Sequence, residues 1–234
     1  RWWLAGILLL TFLVYLPGLE YGFVFDDHSL VEEDPAVTSL PAAVHHLVTL
    51  HVGYRPVRTL SYALDYAVGG RDPFVFHLSN LLYHLLVLLA LWWVLREAGL
   101  AMPLTLIVLG ALAIHPVNID AVTYISGRRD LLSALFTLLA FGSFLRFRRS
   151  GRMLWWVPVI ACFGLAFLSK EMGIVVPVLI LLYDWIRAAA EAPGPSGPVR
   201  GLFRAVRRGL WYYIPMFLLA AGMAAYKLWI APAS

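Results

Sequence analysis

Residues 2–19 read WWLAGILLLTFLVYLPGL, eighteen positions without a charged side chain. A run of about 18 or more apolar residues with few charges reads as a membrane span. Comparable runs recur at roughly 74–95, 98–115, 131–145, 153–168, 173–190 and 210–230. The sequence therefore predicts an all-α polytopic bundle of about seven transmembrane helices. Several runs fall short of the ~20 residues of a straight crossing, so their flanks must supply length. Composition agrees: the chain is 61% apolar and 14% charged, where soluble domains run nearer half and a quarter. Its single cysteine, Cys162, lies inside an apolar run, reads as core, and excludes a disulfide within the chain. The first run is too long for the apolar region of a signal peptide, and no small-residue cleavage site follows it. It reads as a retained span of a longer protein.

Orientation follows from Lys and Arg. With a cytosolic N-terminus, eleven fall inside: Arg1, Arg96, Arg146, Arg148, Arg149, Arg152, Arg187, Arg200, Arg204, Arg207 and Arg208. Seven fall outside: Arg55, Arg58, Arg71, Arg128, Arg129, Lys170 and Lys227. The net charge of +4 is explained by these short loops and needs no nucleic acid. The outer side then receives FVFDDHSLVEEDP, GYRPVRTL, HPVNIDAVTYISGRRD and LSKEMG. Only the first outer loop, about 20–73, is long. Two of its stretches, LPAAVHHLVTLH and VRTLSYALDYAV, show apolar spacing of three to four residues and predict short helices at the membrane surface.

Five of the 14 acids crowd into 26–34: Asp26, Asp27, Glu32, Glu33 and Asp34. Adjacent carboxylates cannot face one point, so at most one of Asp26 and Asp27 can act on a substrate hydroxyl. The other would position the loop, help bind a metal, or accept backbone N–H groups. Desolvation near the membrane face could lift one toward a general-base pKa; the pair equally suits a solvated loop with a helix cap. Arg55, before Pro56, sits where a helix begins, a favourable place for a phosphate, and alone suits a nonspecific headgroup contact as well. His77, Asn80 and His84 share one helix face; interhelical hydrogen bonding is the simpler reading for His84. No HExxH accompanies them, so no metal is expected. Arg128 and Arg129 run against the inward charge bias. They suit an anionic ligand or pairing with the acidic first loop. Lys170 and Glu171 share an outer hairpin, and Asp184, near an inner end, reads as structural.

FVFDDHSLV, YRPVRTLSYALDY, GGRDPFVFHLSNLLYHLLV, IHPVNIDAVTYISGRRDLLSALF and FLSKEMGI, in that order over about 20–185, resemble successive motifs of the transmembrane, tetratricopeptide-repeat-containing O-mannosyltransferases and their bacterial relatives. These are membrane glycosyltransferases of the GT-C class. No single motif is decisive; five in order are specific. The family has further spans and C-terminal repeats, so residues 1–234 resemble its N-terminal module alone. The resemblance implies transfer of a mannose-like sugar from a polyprenyl-phosphate donor to a hydroxyl acceptor, protein Ser or Thr. It places this at the periplasmic or lumenal face of a multi-pass protein in a bacterial inner membrane or the endoplasmic reticulum, without metal or other cofactor. It also implies Asp26 as general base with Asp27 as helper, and Arg55 and Arg128 as donor-phosphate ligands, with Arg129 and Lys170 as alternates. Tyr54, His77, His115 and Glu171 would line the site. The residues by themselves leave open a non-catalytic membrane protein, a transporter or scaffold. A transporter, however, favours ionisable groups at mid-membrane, and here nearly all lie at the outer surface.

Overall fold

The computed structural model describes residues 2–46, 55–191 and 197–230. Among them there is no strand; the chain forms ten α-helices joined by short turns. These are α1 (Trp2–Tyr15), α2 (Leu40–His46), α3 (Pro56–Gly69), α4 (Pro73–Glu97), α5 (Met102–Ala113), α6 (Ile119–Thr123), α7 (Arg128–Ser150), α8 (Trp156–Ser169), α9 (Val176–Ala190) and α10 (Gly197–Ile230). Proline opens α3, α4 and α5 at a first-turn position, where its missing N–H costs nothing. Asp72 caps α4 by accepting the Phe74 N–H at 3.0 Å.

Among the described residues, five helical stretches are long and apolar enough to cross a membrane: Trp2–Glu20, Pro73–Glu97, Ile125–Ser150, Glu171–Ala190 and Gly197–Tyr226. The chain is thus a multi-pass membrane protein. A sixth crossing results if Met102–Ala113 and Pro116–Thr123, bent by 52°, make one broken span. The expected run at 153–168 forms a helix, Met153–Ser169, that is apolar but short. The count is therefore five or six by length and composition, where the sequence predicted seven. The break in the sixth has a local cause: Pro116 ends α5's continuation, and His115 Nδ1 accepts the Val117 N–H at 3.2 Å to start a new turn. In the other direction, α10 runs back through RAVRRG, which the sequence assigned to a loop.

α4 and α7 run parallel. Arg128 at the start of α7 meets Phe76 and Asn80 at the start of α4, and Arg146 near the end of α7 meets Glu97 at the end of α4. Polar pairs collect at these two ends. At one lie Asp27–Ser126, Asp65–Arg128, Arg55–Glu171 and Asp130–Lys170. At the other lie Glu97 with Arg146 and Arg149, Asp184 with Arg148, and Glu191 with Arg208. Between them the largest core cluster packs Phe144, Phe147, Val159, Phe163, Ile180, Tyr212 and Met216 from α7 to α10. Lipid tails are as apolar as these side chains, so van der Waals fit holds the helices together here. Asp184 keeps its structural role, accepting the Tyr212 and Tyr213 hydroxyls at 2.5 and 2.8 Å. His84 bonds the Ala113 carbonyl at 3.1 Å, the interhelical contact expected of it.

Two glycines shape the first of these ends. A Cβ on Gly127 would sit 2.4 Å from the Asp120 carbonyl oxygen, and one on Gly173 would sit 2.4 Å from the Ala166 backbone. Only hydrogen at these positions lets the 120–127 turn and the hairpin after α8 close so tightly.

Candidate functional site

Asp26 and Asp27 lie in a four-residue turn. The Asp27 N–H donates to the Val24 carbonyl at 2.9 Å, and the Val24 N–H donates back to the Asp27 carboxylate at 3.2 Å. Phe25, inside the turn, has φ 47°, the left-handed region that non-glycine residues rarely occupy. Its ring is 87% exposed, so no packing of its own side chain explains the conformation. Strain of this kind costs on the order of 1–3 kcal/mol and persists where the surroundings hold it.

The surroundings here are Asp27. Its carboxylate is fully buried and accepts the Ser126 N–H at 2.9 Å and the Ser126 hydroxyl at 2.6 Å. That clamps the first loop onto the turn before α7, across 99 residues of sequence. The Tyr124 hydroxyl adds a second tie, accepting the Asp26 N–H at 3.1 Å. Asp26 itself is exposed, and its carboxylate makes no hydrogen bond or ion pair among the described residues. The two neighbours thus divide as their backbone geometry requires: one is spent on structure and the other is free. Glu32 lies in the π-helical turn that follows and takes His28 Nδ1 at 2.6 Å on the surface.

The basic residues divide as well. Arg128 has no exposed surface. It pairs with Asp65 at 2.5 Å and donates to Asn80 Oδ1 at 2.7 Å, the Phe76 carbonyl at 2.8 Å and the Ser61 hydroxyl at 3.4 Å. Its guanidinium carbon lies 4.6 Å from the Tyr62 ring centroid. Burial pushes the Asp65 carboxyl up, and Arg128 and the Ser79 hydroxyl pull it back. This differs from the phosphate contact expected of Arg128. Helix α3 brings Asp65 of the first loop under α7, so the arginine finds its counter-charge within the protein.

Arg55 and Arg129 keep partial exposure. Arg55 reaches Glu171 at 3.2 Å, 116 residues away, and Arg129 Nε lies 3.8 Å from Asp130. Lys170 pairs with the far carboxylate oxygen of Asp130. His77 is buried against the backbone of Tyr21 and Gly22, and the Tyr21 ring sits edge-on to it at 6.3 Å. His115 is exposed and serves the turn at Pro116. Tyr54 lies outside the described residues.

The structure therefore gathers Asp26, Asp27, Arg55, Arg128, Arg129, Lys170, His77, His115 and Glu171 at one end of the bundle. Among the described residues no three His, Cys, Asp or Glu side chains converge as a metal site would need. Sequence reading missed Asp65, Ser126 and Arg58. A signal existed for two of them: Arg58 and Asp65 fall i, i+7 on the apolar face of α3, whose buried residues also include Ser61 and Tyr62. Charged residues on a buried stripe call for partners. Arg58 is 5% exposed, and burial lowers its pKa, with Arg55 and Arg129 adding like-charge repulsion and Tyr62 and Asp34 opposing it.

Among known proteins, the chain is similar to Protein O-mannosyl-transferase Tmtc1 of Drosophila melanogaster, 33% identical over 198 residues, which cover 77% of this chain and 22% of that protein. It is 38% identical to mouse Protein O-mannosyl-transferase TMTC1 over 151 residues, covering 58% of this chain and 16% of that one. With human Protein O-mannosyl-transferase TMTC2 the figures are 32% over 200 residues, 73% and 22%. The chain spans about a fifth of the length of these relatives. No family model and no solved structure matches it.

Proposed function

The chain belongs to the TMTC-like family, and from that premise we propose that it carries the catalytic end of a membrane glycosyltransferase that moves a mannose-like sugar from a polyprenyl-phosphate donor to a protein hydroxyl. The observation that carries this reading is the division between the two acids: Asp27 is saturated with hydrogen bonds, while Asp26 stands free on a strained turn beside it. Asp26 takes the proton of the acceptor hydroxyl as that oxygen attacks the anomeric carbon. The bond from the anomeric carbon to the lipid-phosphate oxygen breaks, and the lipid phosphate leaves with the electron pair. Arg55, Arg129 and Lys170 offset that developing charge. Arg128 supports them from the core by fixing α3 against α4 and α7. His77 and Glu171 border the same end.

We place this end on the periplasmic or lumenal side, as the Lys and Arg asymmetry supports. In a Cys162→Ala background, a cysteine at Ser39 is labelled by an impermeant thiol reagent applied from that side, and one at Ser150 is not. Labelling at Ser150 alone inverts the proposed topology. The donor is tested by supplying the full-length protein in detergent with an acceptor peptide and either short-chain polyprenyl-phosphate mannose or a nucleotide-linked mannose. Radiolabel enters the peptide from the lipid donor. Transfer from the nucleotide sugar alone refutes the donor class.

A further inference from the structure

At the first turn of α3 the chain concentrates hydrogen-bond donors that have nothing to donate to. Arg58, 5% exposed, makes no hydrogen bond and no ion pair among the described residues, and its Nε is buried. Asp34 acts on it only from beyond ion-pair distance. Arg55 and Arg129 flank it, and the Nε of each is also buried without a hydrogen bond.

Thr59, 1% exposed, has a hydroxyl without a hydrogen-bond partner among the described residues. Among the described residues it is the one hydroxyl buried without a hydrogen bond. The helical hydroxyls of Thr11, Thr105, Thr123 and Ser169 each bond back to the carbonyl four residues earlier, at 2.7 to 3.1 Å. Thr59 forgoes that bond although its own N–H reaches the Arg55 carbonyl. The helix start is uncapped as well: Arg55 at the N-cap gives no side-chain hydrogen bond, the first turn holds no acid, and 14 residues of helix dipole point their positive end there.

A buried guanidinium without a counter-ion is among the most costly arrangements a protein can hold. One guanidinium without a carboxylate, two that each share a single carboxylate, a buried hydroxyl and a helix N-terminus without a side-chain cap all suit the same thing, an oxyanion with several acceptor lone pairs. We propose that Arg58 and Thr59, with Arg55, Arg129 and the first-turn N–H groups of Val57 and Arg58, seat one phosphate group. That the phosphate is the one borne by the lipid-linked donor rests on the transferase reading above; the seat itself does not. Glu171 then acts as a stand-in, holding Arg55 in place until phosphate arrives.

Two probes separate the possible sources: a short-chain polyprenyl phosphate without sugar, and inorganic phosphate, each titrated against the purified full-length protein at constant ionic strength. We expect Arg58→Met to weaken lipid-phosphate binding by about tenfold to a hundredfold. Thr59→Val should weaken it less, and Arg149→Met, at the opposite end, not at all. A merely structural arginine would lower the melting temperature when removed. Here the ligand-free Arg58→Met protein should melt at or above the wild-type temperature, because the change deletes an uncompensated charge.

Unchanged affinity in Arg58→Met overturns the seat. If that variant loses both binding and thermal stability, Arg58→Lys decides. Weakened binding at wild-type melting temperature upholds the seat, and wild-type affinity overturns it. An equal response to inorganic phosphate assigns the seat to a free anion, and a response to the lipid alone assigns it to the donor. Arg58-dependent lipid binding in a protein without transfer activity sinks the transferase reading and leaves the seat. Transfer with normal donor KM in Arg58→Met does the reverse.

Discussion

Replacing Asp26 by Asn lowers sugar transfer by roughly 10²–10⁴-fold, the range a general base supplies, and leaves expression and melting temperature unchanged. Asn keeps the size of the side chain and cannot take a proton. No hydrogen bond is lost, because the Asp26 carboxylate makes none among the described residues; Asp26 joins the turn only through its backbone, which bonds Tyr124 and Ser29, and these bonds survive. Asp27→Asn behaves differently. Its carboxylate accepts from the Val24 N–H, the Ser126 N–H and the Ser126 hydroxyl. An amide there turns a donor toward a donor in a fully buried place, at a cost of about 1–3 kcal/mol. Asp27→Asn therefore loses yield and melting temperature together with activity. Turnover per folded molecule, measured on both variants, separates the roles. Near-normal turnover in Asp26→Asn removes it as the base, and near-normal turnover in both removes the base from this turn.

How much of this was legible follows the range of the interactions. Helix positions were, because an apolar run long enough to cross a membrane leaves few alternatives. The unequal fates of Asp26 and Asp27 were half legible. Adjacent side chains must diverge, but which one turns inward depends on Ser126, 99 residues away. Arg128 and Asp65 were not paired in advance, since nothing near either residue marks the other as its partner. The basic outer loop invited two readings, an anion or the acidic first loop, and Arg128 follows the second. Span ends were least legible. The bend at His115–Pro116 and the backward extension of α10 through an arginine-rich stretch arise from local turn chemistry and packing that hydropathy does not register.

Arg128 and Arg58 present the same chemistry in opposite circumstances, and their removal should have opposite effects on the empty protein. Arg128→Met should destabilise by about 3–5 kcal/mol, the usual cost of breaking a buried ion pair from one side. Asp65 would be left buried with only Ser79, and Asn80 and the Phe76 carbonyl would lose their donors. Lys in its place should recover little, because one ammonium cannot reproduce a fork that serves Asp65, Asn80, Phe76 and Ser61 at once. Pairing Arg128→Met with Asp65→Leu should restore part of the loss, since the orphaned charge goes with its partner. Thermal unfolding of the single and double variants in detergent, read against lipid-phosphate binding by the folded fraction, checks the assignment. A single variant that melts like wild type and fails to bind the donor would make Arg128 an anion ligand after all, and its contacts with Asp65 and Asn80 incidental. The expected result is the reverse: a folded fraction that shrinks sharply, and within it a phosphate seat at α3 whose affinity falls only as far as α3 shifts without its anchor.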